Sequence, residues 1–233
     1  MLNRQLFLLL GCLLISLSSL AQSTVFVEKA DTLKGTPLVR ELIGHVILHQ
    51  DDMVMYCQKA FFHTQSNYIK ASGNVRIIQS DTLVITGDSG IYYGNLKRAY
   101  MTGHVKLDDN TIILKTPKLN YDLNTKIATY FNHAIIENEE SILESEIGIY
   151  NTDNKDFLFI DEVEVTDQKD GELTADSLRY NTDTKIAKFI APTVITTTKD
   201  TVYTSQGLYN TKTKASNFTS RTTAKLEDFD LTG

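Results

Sequence analysis

The sequence predicts an all-β protein built from stacked repeats, and three observations carry that prediction: a strand-favouring composition, a tyrosine returning every 29 or 30 residues, and apolar side chains spaced two apart around it. The 233 residues include 28 threonines and, with no Trp, 21 Phe plus Tyr. Such a β-branched and aromatic bias suits a pleated, half-buried surface better than a helix. Three prolines and twelve glycines are too few for a disordered or collagen-like chain. A formal net charge of −6 offers no basic field to attract nucleic acid, and that partner class is not expected. The length suits one domain of about 200 residues with a sizeable core, or two small ones.

The first element is a targeting segment. Met1 to Gln5 carries one cation, Arg4, and the fifteen residues from Leu6 to Leu20 are apolar with a few serines. That run falls short of the ~20 residues of a membrane span. Ser19-Leu20-Ala21 places small residues three and one before a cut ahead of Gln22, so 1–21 reads as a cleavable export signal. The rival is a lipoprotein signal, because Leu9-Leu10-Gly11-Cys12 resembles a lipobox. It would leave an apolar core of only Leu6 to Gly11, with more apolar sequence directly after the lipidated cysteine. Cleavage after Ala21 leaves Cys57 alone, and a single cysteine cannot form an internal disulfide. Cys57 is expected to be a buried small apolar residue.

A polar lead-in, 22–40, precedes the repeats. Tyrosines then fall at Tyr92, Tyr121, Tyr150, Tyr180 and Tyr209, at intervals of 29, 29, 30 and 29. Five residues after each comes a lysine: Lys97, Lys126, Lys155, Lys185 and Lys214. Asn, Asp and Thr fill the gap between them, as in Tyr180-Asn-Thr-Asp-Thr-Lys185, which marks a tight turn closing a hairpin. Seven residues before each tyrosine sits an aliphatic: Ile85, Leu114, Leu143, Leu173 or Val202. Nine after comes Met101, Tyr130, Phe159, Phe189 or Phe218, usually with Ala two positions earlier. Residues two apart share one face of a strand, so the flanks are half-buried strands. A third alternating element follows, clearest in Gly44-His-Val-Ile-Leu, Gly73-Asn-Val-Arg-Ile and Gly103-His-Val-Lys-Leu. Each unit is expected to give three short strands, and about six units of about 29 residues run through 41–226 before an acidic tail, 227–233.

One such unit cannot bury its apolar face alone, so units must stack along one axis. Two closures are open: a β-solenoid around a dry core, or two facing sheets forming a jelly-roll trough. The pattern of Gly73 to Ala99, a Gly-x-Val-x-Ile run, Asp-Thr-Leu, Asp-Ser-x-x-Tyr, a turn and Lys-x-Ala, resembles the organic-solvent-tolerance (OstA-like) domain. That domain is shared by the periplasmic lipopolysaccharide-transport proteins, the bridge protein LptA and the N-terminal region of its outer-membrane partner LptD. The resemblance covers about Glu41 to Leu226 and implies an elongated, open β-jellyroll of stacked antiparallel strands in the periplasm. Its interior would accept the acyl chains of lipid A, moving lipopolysaccharide toward the outer membrane, and related jellyroll domains would join it edge to edge. After Asn132 the units lose the Gly-x-Val glycine and depart from that pattern.

A lipid crossing water needs a continuous apolar lining, since each methylene covered is worth roughly 0.8 kcal/mol. The candidate lining is Val75, Ile77, Leu83, Ile85, Val105, Leu107, Ile112, Leu114, Leu143, Val163, Val165, Leu173 and Val202. The lysine column, Lys97, Lys126, Lys155, Lys185 and Lys214, would line one rim and could meet headgroup phosphates, although turn lysines are ordinarily just solvated. An open stack leaves unpaired strand edges, expected near Gly44 to Leu48 and Thr219 to Leu226, where the chain would form end-to-end homo-oligomers or add related domains. A structural solenoid of the cell surface is the alternative function.

Catalytic readings fare poorly, and no enzyme, cofactor or metal site is expected. Gly87-Asp88-Ser89-Gly90 spells the tetrapeptide around a serine-protease nucleophile, but Asp176-Ser177 occupies the same repeat slot with Leu178 after it. His45 and His104 share a repeat position, with His133 near the next, but no Cys or His pair has metal-ligand spacing. Asp51-Asp52 and Glu139-Glu140 read as solvated turns.

Overall fold

The computed structural model describes residues 23–80, 82–137, 141–167, 171–227 and 230–233. The export signal with Cys12, and the Glu139-Glu140 pair, lie outside the described residues. All regular structure within them is strand, joined into a single 21-stranded sheet whose pairings are antiparallel. Two short strands, β1 (Phe26–Lys29) and β2 (Thr32–Gly35), lead into six long ones: β3 (Val39–Gln50), β4 (Met53–His63), β5 (Tyr68–Gln79), β6 (Leu83–Tyr93), β7 (Arg98–Asp108) and β8 (Ile113–Asp122). Next come β9 (Ile127–Tyr130), β10 (Ala134–Glu137), β11 (Ser141–Ser145) and β12 (Ile147–Asn151), and two more long strands, β13 (Asp156–Asp167) and β14 (Gly171–Asn181). The chain finishes in short pieces: β15 (Ile186–Phe189), β16 (Thr193–Thr196), β17 (Thr201–Thr204), β18 (Gly207–Asn210), β19 (Ser216–Phe218), β20 (Thr223–Lys225) and β21 (Asp230–Thr232).

The long strands are bent in the middle, which corrects the expected three short strands per unit. The register between neighbours slips at Ile43/Val46, Tyr56/Lys59, Ser72/Val75, Thr86/Ser89 and Thr102/Val105. A bulge of this kind kinks a strand and sharpens its twist. In β3, β5 and β7 the kink is a pair of left-handed residues, Gly44-His45, Gly73-Asn74 and Gly103-His104, with glycine φ values of 75°, 78° and 74°. Glycine is required twice over. It adopts that φ without strain, and a Cβ on Gly103 would lie 2.3 Å from the Asp88 carboxylate folded over the corner. That carboxylate also pairs with His104 Nδ1 at 2.8 Å, as Asp31 does with His45 at 2.7 Å. The protease-like tetrapeptide around Ser89 is therefore a corner motif. Where the glycine is gone, the strand either breaks, as between β9 and β10 with His133 at φ 58°, or bends on Asp161 and Glu162 within β13.

Each bent strand contributes one half to each of two faces, and the sheet folds over so that the faces enclose the core. One face carries the halves next to the tyrosine turns, continuing through β9, β12, β15, β18 and β19. The other carries the Gly-x-Val halves, continuing through β10, β11, β16, β17, β20 and β21. Apolar residues two apart on each half point inward, among them Leu42, Ile69, Tyr92, Ala99 and Met101 on the first face and Leu48, Met55, Ile77, Ile85 and Leu107 on the second.

The ends differ from expectation. The stretch 22–40 is not only a lead-in, because β1 and β2 pair with the two halves of β3. Gly44 to Leu48 is consequently covered, and the N-terminal edge is β1 and β2. At the other end Ala224 pairs on one side with Val202 and on the other with Leu231. The supposed acidic tail thus supplies β21, which with β19 forms the C-terminal edge.

Candidate functional site

Opposite the bent corners, the two rows of hairpin turns meet along a seam, and the tyrosine column belongs to it. Tyr92 donates to Gln50 Oε1 at 2.7 Å and Tyr121 to Gln79 Oε1 at 2.8 Å. The Gln50 and Gln79 amides donate in turn to the carbonyls of Gly94 and Leu123, at 3.0 and 3.3 Å. In the third rung Asp109 replaces the glutamine. It accepts from the Tyr150 hydroxyl, from Lys155 Nζ at 2.7 Å, and from Thr111 and Ile112 backbone N–H groups at 3.0 Å each. Burial pushes the tyrosine hydroxyls up, Tyr121 to about 12, so they stay protonated donors. Burial also opposes ionisation of Asp109, but the hydrogen bonds from Lys155, Thr111 and Tyr150 outweigh it and hold the carboxyl below its ordinary value.

The lysine column occupies the left-handed position of each turn, with φ from 52° at Lys97 to 63° at Lys214. Together with Asn67, left-handed at φ 52° in an earlier turn, its backbone builds a ladder along the rim: the carbonyls of Asn67, Lys97, Lys126, Lys155 and Lys185 accept from Gly94, Leu123, Thr152, Thr182 and Thr211 at 2.8 to 3.0 Å. Its first three ammonium groups face carboxylates of the other row, Lys97 to Asp51 at 2.6 Å, Lys126 to Asp52 at 3.7 Å and Lys155 to Asp109. These three lysines fasten the seam and are not a free rim of charge, and Asp51-Asp52 is more than a solvated turn.

Beyond the Asp109 rung the faces enclose a cavity of about 510 Å³. Tyr150, Phe157 and Phe159, stacked at 4.1 and 4.4 Å between ring centres, separate it from the packed half. Of the predicted lining, Ile112, Leu143, Val165, Leu173 and Val202 border this cavity. Val75, Ile77, Leu83, Ile85, Val105, Leu107 and Leu114 are packed into the solid core of the first half, and Val163 is buried beside the β13 bulge. All thirteen come from the Gly-x-Val face. The opposite wall, Phe157, Phe159, Leu178, Tyr180, Tyr209 and Phe218, was missed as lining, although its columns repeat at the same period. The lips are polar, with Thr182, Lys185 and Thr211 on the tyrosine side and Ser141, Glu172 and Thr197 on the other. Cys57 is buried in the packed half, and burial pushes its thiol up to about 11.

Comparison with known proteins adds the following. No curated protein matches the chain. Among solved structures that match is LptH, described as the LptA homologous periplasmic component of the conserved lipopolysaccharide transport device from Pseudomonas aeruginosa. It is 16% identical, with a TM-score of 0.39 over 43% of this chain and 76% of that one. The OstA-like protein family matches residues 22–170 and 166–233, so this chain belongs to the OstA-like family.

Proposed function

We propose that the protein is a non-enzymatic periplasmic carrier in lipopolysaccharide transport, holding acyl chains of lipid A between its two faces. The observation that carries this reading is the apolar cavity beyond the Asp109 rung, enclosed by inward residues of both faces. Its size falls in the range of about 300–1,000 Å³ usual for small-molecule sites. Family membership supports the lipid class, and the neighbouring LptH is itself described as part of such a device. The edges β1 with β2 and β19 with β21 are where another copy, or a related domain, would add its strands, because an edge presents unpaired backbone groups. Phe26 and Leu33 at one end and Leu231 at the other are more than half exposed. Lipid would be held in the second half of the chain, since the first half is filled by its own side chains.

A photo-crosslinking residue at Leu173 or Val202 should capture lipopolysaccharide in cells, while one at Ile85 or at the turn residue Asn124 should not. Equal capture at all four sites, or none at Leu173 and Val202, would refute the assignment.

A further inference from the structure

We propose that the cavity takes one acyl chain of an anionic amphiphile and that Lys185, at its lip, binds the phosphate or carboxylate head. This rests on the carrier reading and narrows it to a headgroup, a chain count and a residue.

The capacity follows from volume. An apolar cavity of about 150 Å³ holds one benzene. By that ratio the 510 Å³ found here accommodates a chain on the order of twenty carbons. A lipid with several chains would seat one of them, leaving the others on the lips or in a neighbouring domain.

The head assignment follows from how Lys185 differs from its column. Lys97, Lys126 and Lys155 each face a carboxylate across the closed seam. Lys185 occupies the same left-handed turn position, at φ 60°, and borders the cavity with no carboxylate partner among the described residues. It is half-buried, whereas Glu172 on the facing lip is exposed and has no ion pair among the described residues. A second observation points the same way. Thr182, in the same turn, borders the cavity at 3% exposure, and its hydroxyl has Tyr150 beside it but no hydrogen bond of ordinary length among the described residues. A buried hydroxyl is rarely left unsatisfied. An anionic oxygen at the lip would accept from both Thr182 and the Lys185 ammonium, a compact point charge suited to phosphate or carboxylate.

Equilibrium dialysis of the full chain with radiolabelled hexadecyl phosphate, palmitate and hexadecanol separates chain from head, because the three share one chain length. The wild type should bind one molecule of each, with both anions at least ten-fold tighter than the alcohol at pH 7. Lys185→Gln should abolish that preference and leave alcohol binding unchanged, and Thr182→Val, close to it in shape, should weaken the anions several-fold. Lys188→Gln, on the exposed side of β15, should change nothing. Phosphate preferred over carboxylate points to a phosphorylated lipid, and the reverse to a fatty acid. A preference that survives in Lys185→Gln, no preference in the wild type, or two or more chains per protein would overturn the proposal. If lipopolysaccharide crosslinking at Leu173 persists in that event, the carrier reading stands and only the headgroup assignment falls.

Discussion

Asp109 shows how far one side chain organises the interior. It is 5% exposed and takes the place of a neutral glutamine, so its charge must be matched, and Lys155, Tyr150 and Thr111 match it. Removing one partner of a buried pair commonly costs about 3–5 kcal/mol, because the other is left uncompensated. Asp109→Ala should therefore lower the melting temperature by about 6–20 °C, at 2–4 °C per kcal/mol for a chain of this size. Asp109→Asn tests the charge itself. Because the folded carboxyl is held below its ordinary value, it adds stability above its unfolded pKa of about 3.9, and that stability is lost as the pH falls through the folded value. Asp51, Asp52 and Asp122 are also held low, so acid weakens both proteins. The difference between them is the measurement: the melting-temperature gap between wild type and Asp109→Asn should be widest at pH 7 and close below about pH 4. A gap that ignores pH would mean that the charge does not hold the seam.

At the scale of the strand, the glycine corner decides whether a repeat is one bent strand or two pieces. Gly103→Ala forces a left-handed alanine, worth about 1–2 kcal/mol, and drives its Cβ against the Asp88 side chain. A loss of about 2–3 kcal/mol in denaturant unfolding is expected, and adding Asp88→Ala should recover part of it by removing the obstacle. A double variant no better than Gly103→Ala would place the whole cost in the backbone. The corner was visible in the sequence as Gly-x-Val, but its meaning was not. Buried positions run Ala99, Met101, Val105 and Leu107, so the alternation keeps its parity through the kink and one bent strand reads like two. The seam was hidden for a different reason. Gln50, Gln79 and Asp109 sit two residues beyond Leu48, Ile77 and Leu107, on the inward parity, yet their polarity and the turn directly after them made them look like loop residues.

At the scale of the whole molecule the chain divides into a filled half and a hollow half, and no column of the repeat announced it. The −7 aliphatics Leu114 and Leu173 are equivalent in sequence, and what differs is what faces them across the fold. Leu114 is fully buried in a core closed by the hydrogen-bonded seam, whereas Leu173 borders the cavity. The same substitution at the two sites should therefore have different consequences. Leu114→Asp buries an unpaired carboxylate in close-packed surroundings, at a cost of several kcal/mol, comparable with the stability of a whole domain. It should fail to fold. Leu173→Asp places its carboxylate where water can enter the empty cavity, so the loss is mainly the apolar burial of one leucine, about 2 kcal/mol, or about 4–8 °C in melting temperature. That variant should remain folded by circular dichroism and lose lipopolysaccharide capture at Val202, because a charge now stands in the path of the chain. If both variants unfold, the second half is as closed as the first and the cavity cannot serve as a lipid site. If Leu173→Asp stays folded and captures lipid normally, the lipid runs elsewhere on the protein.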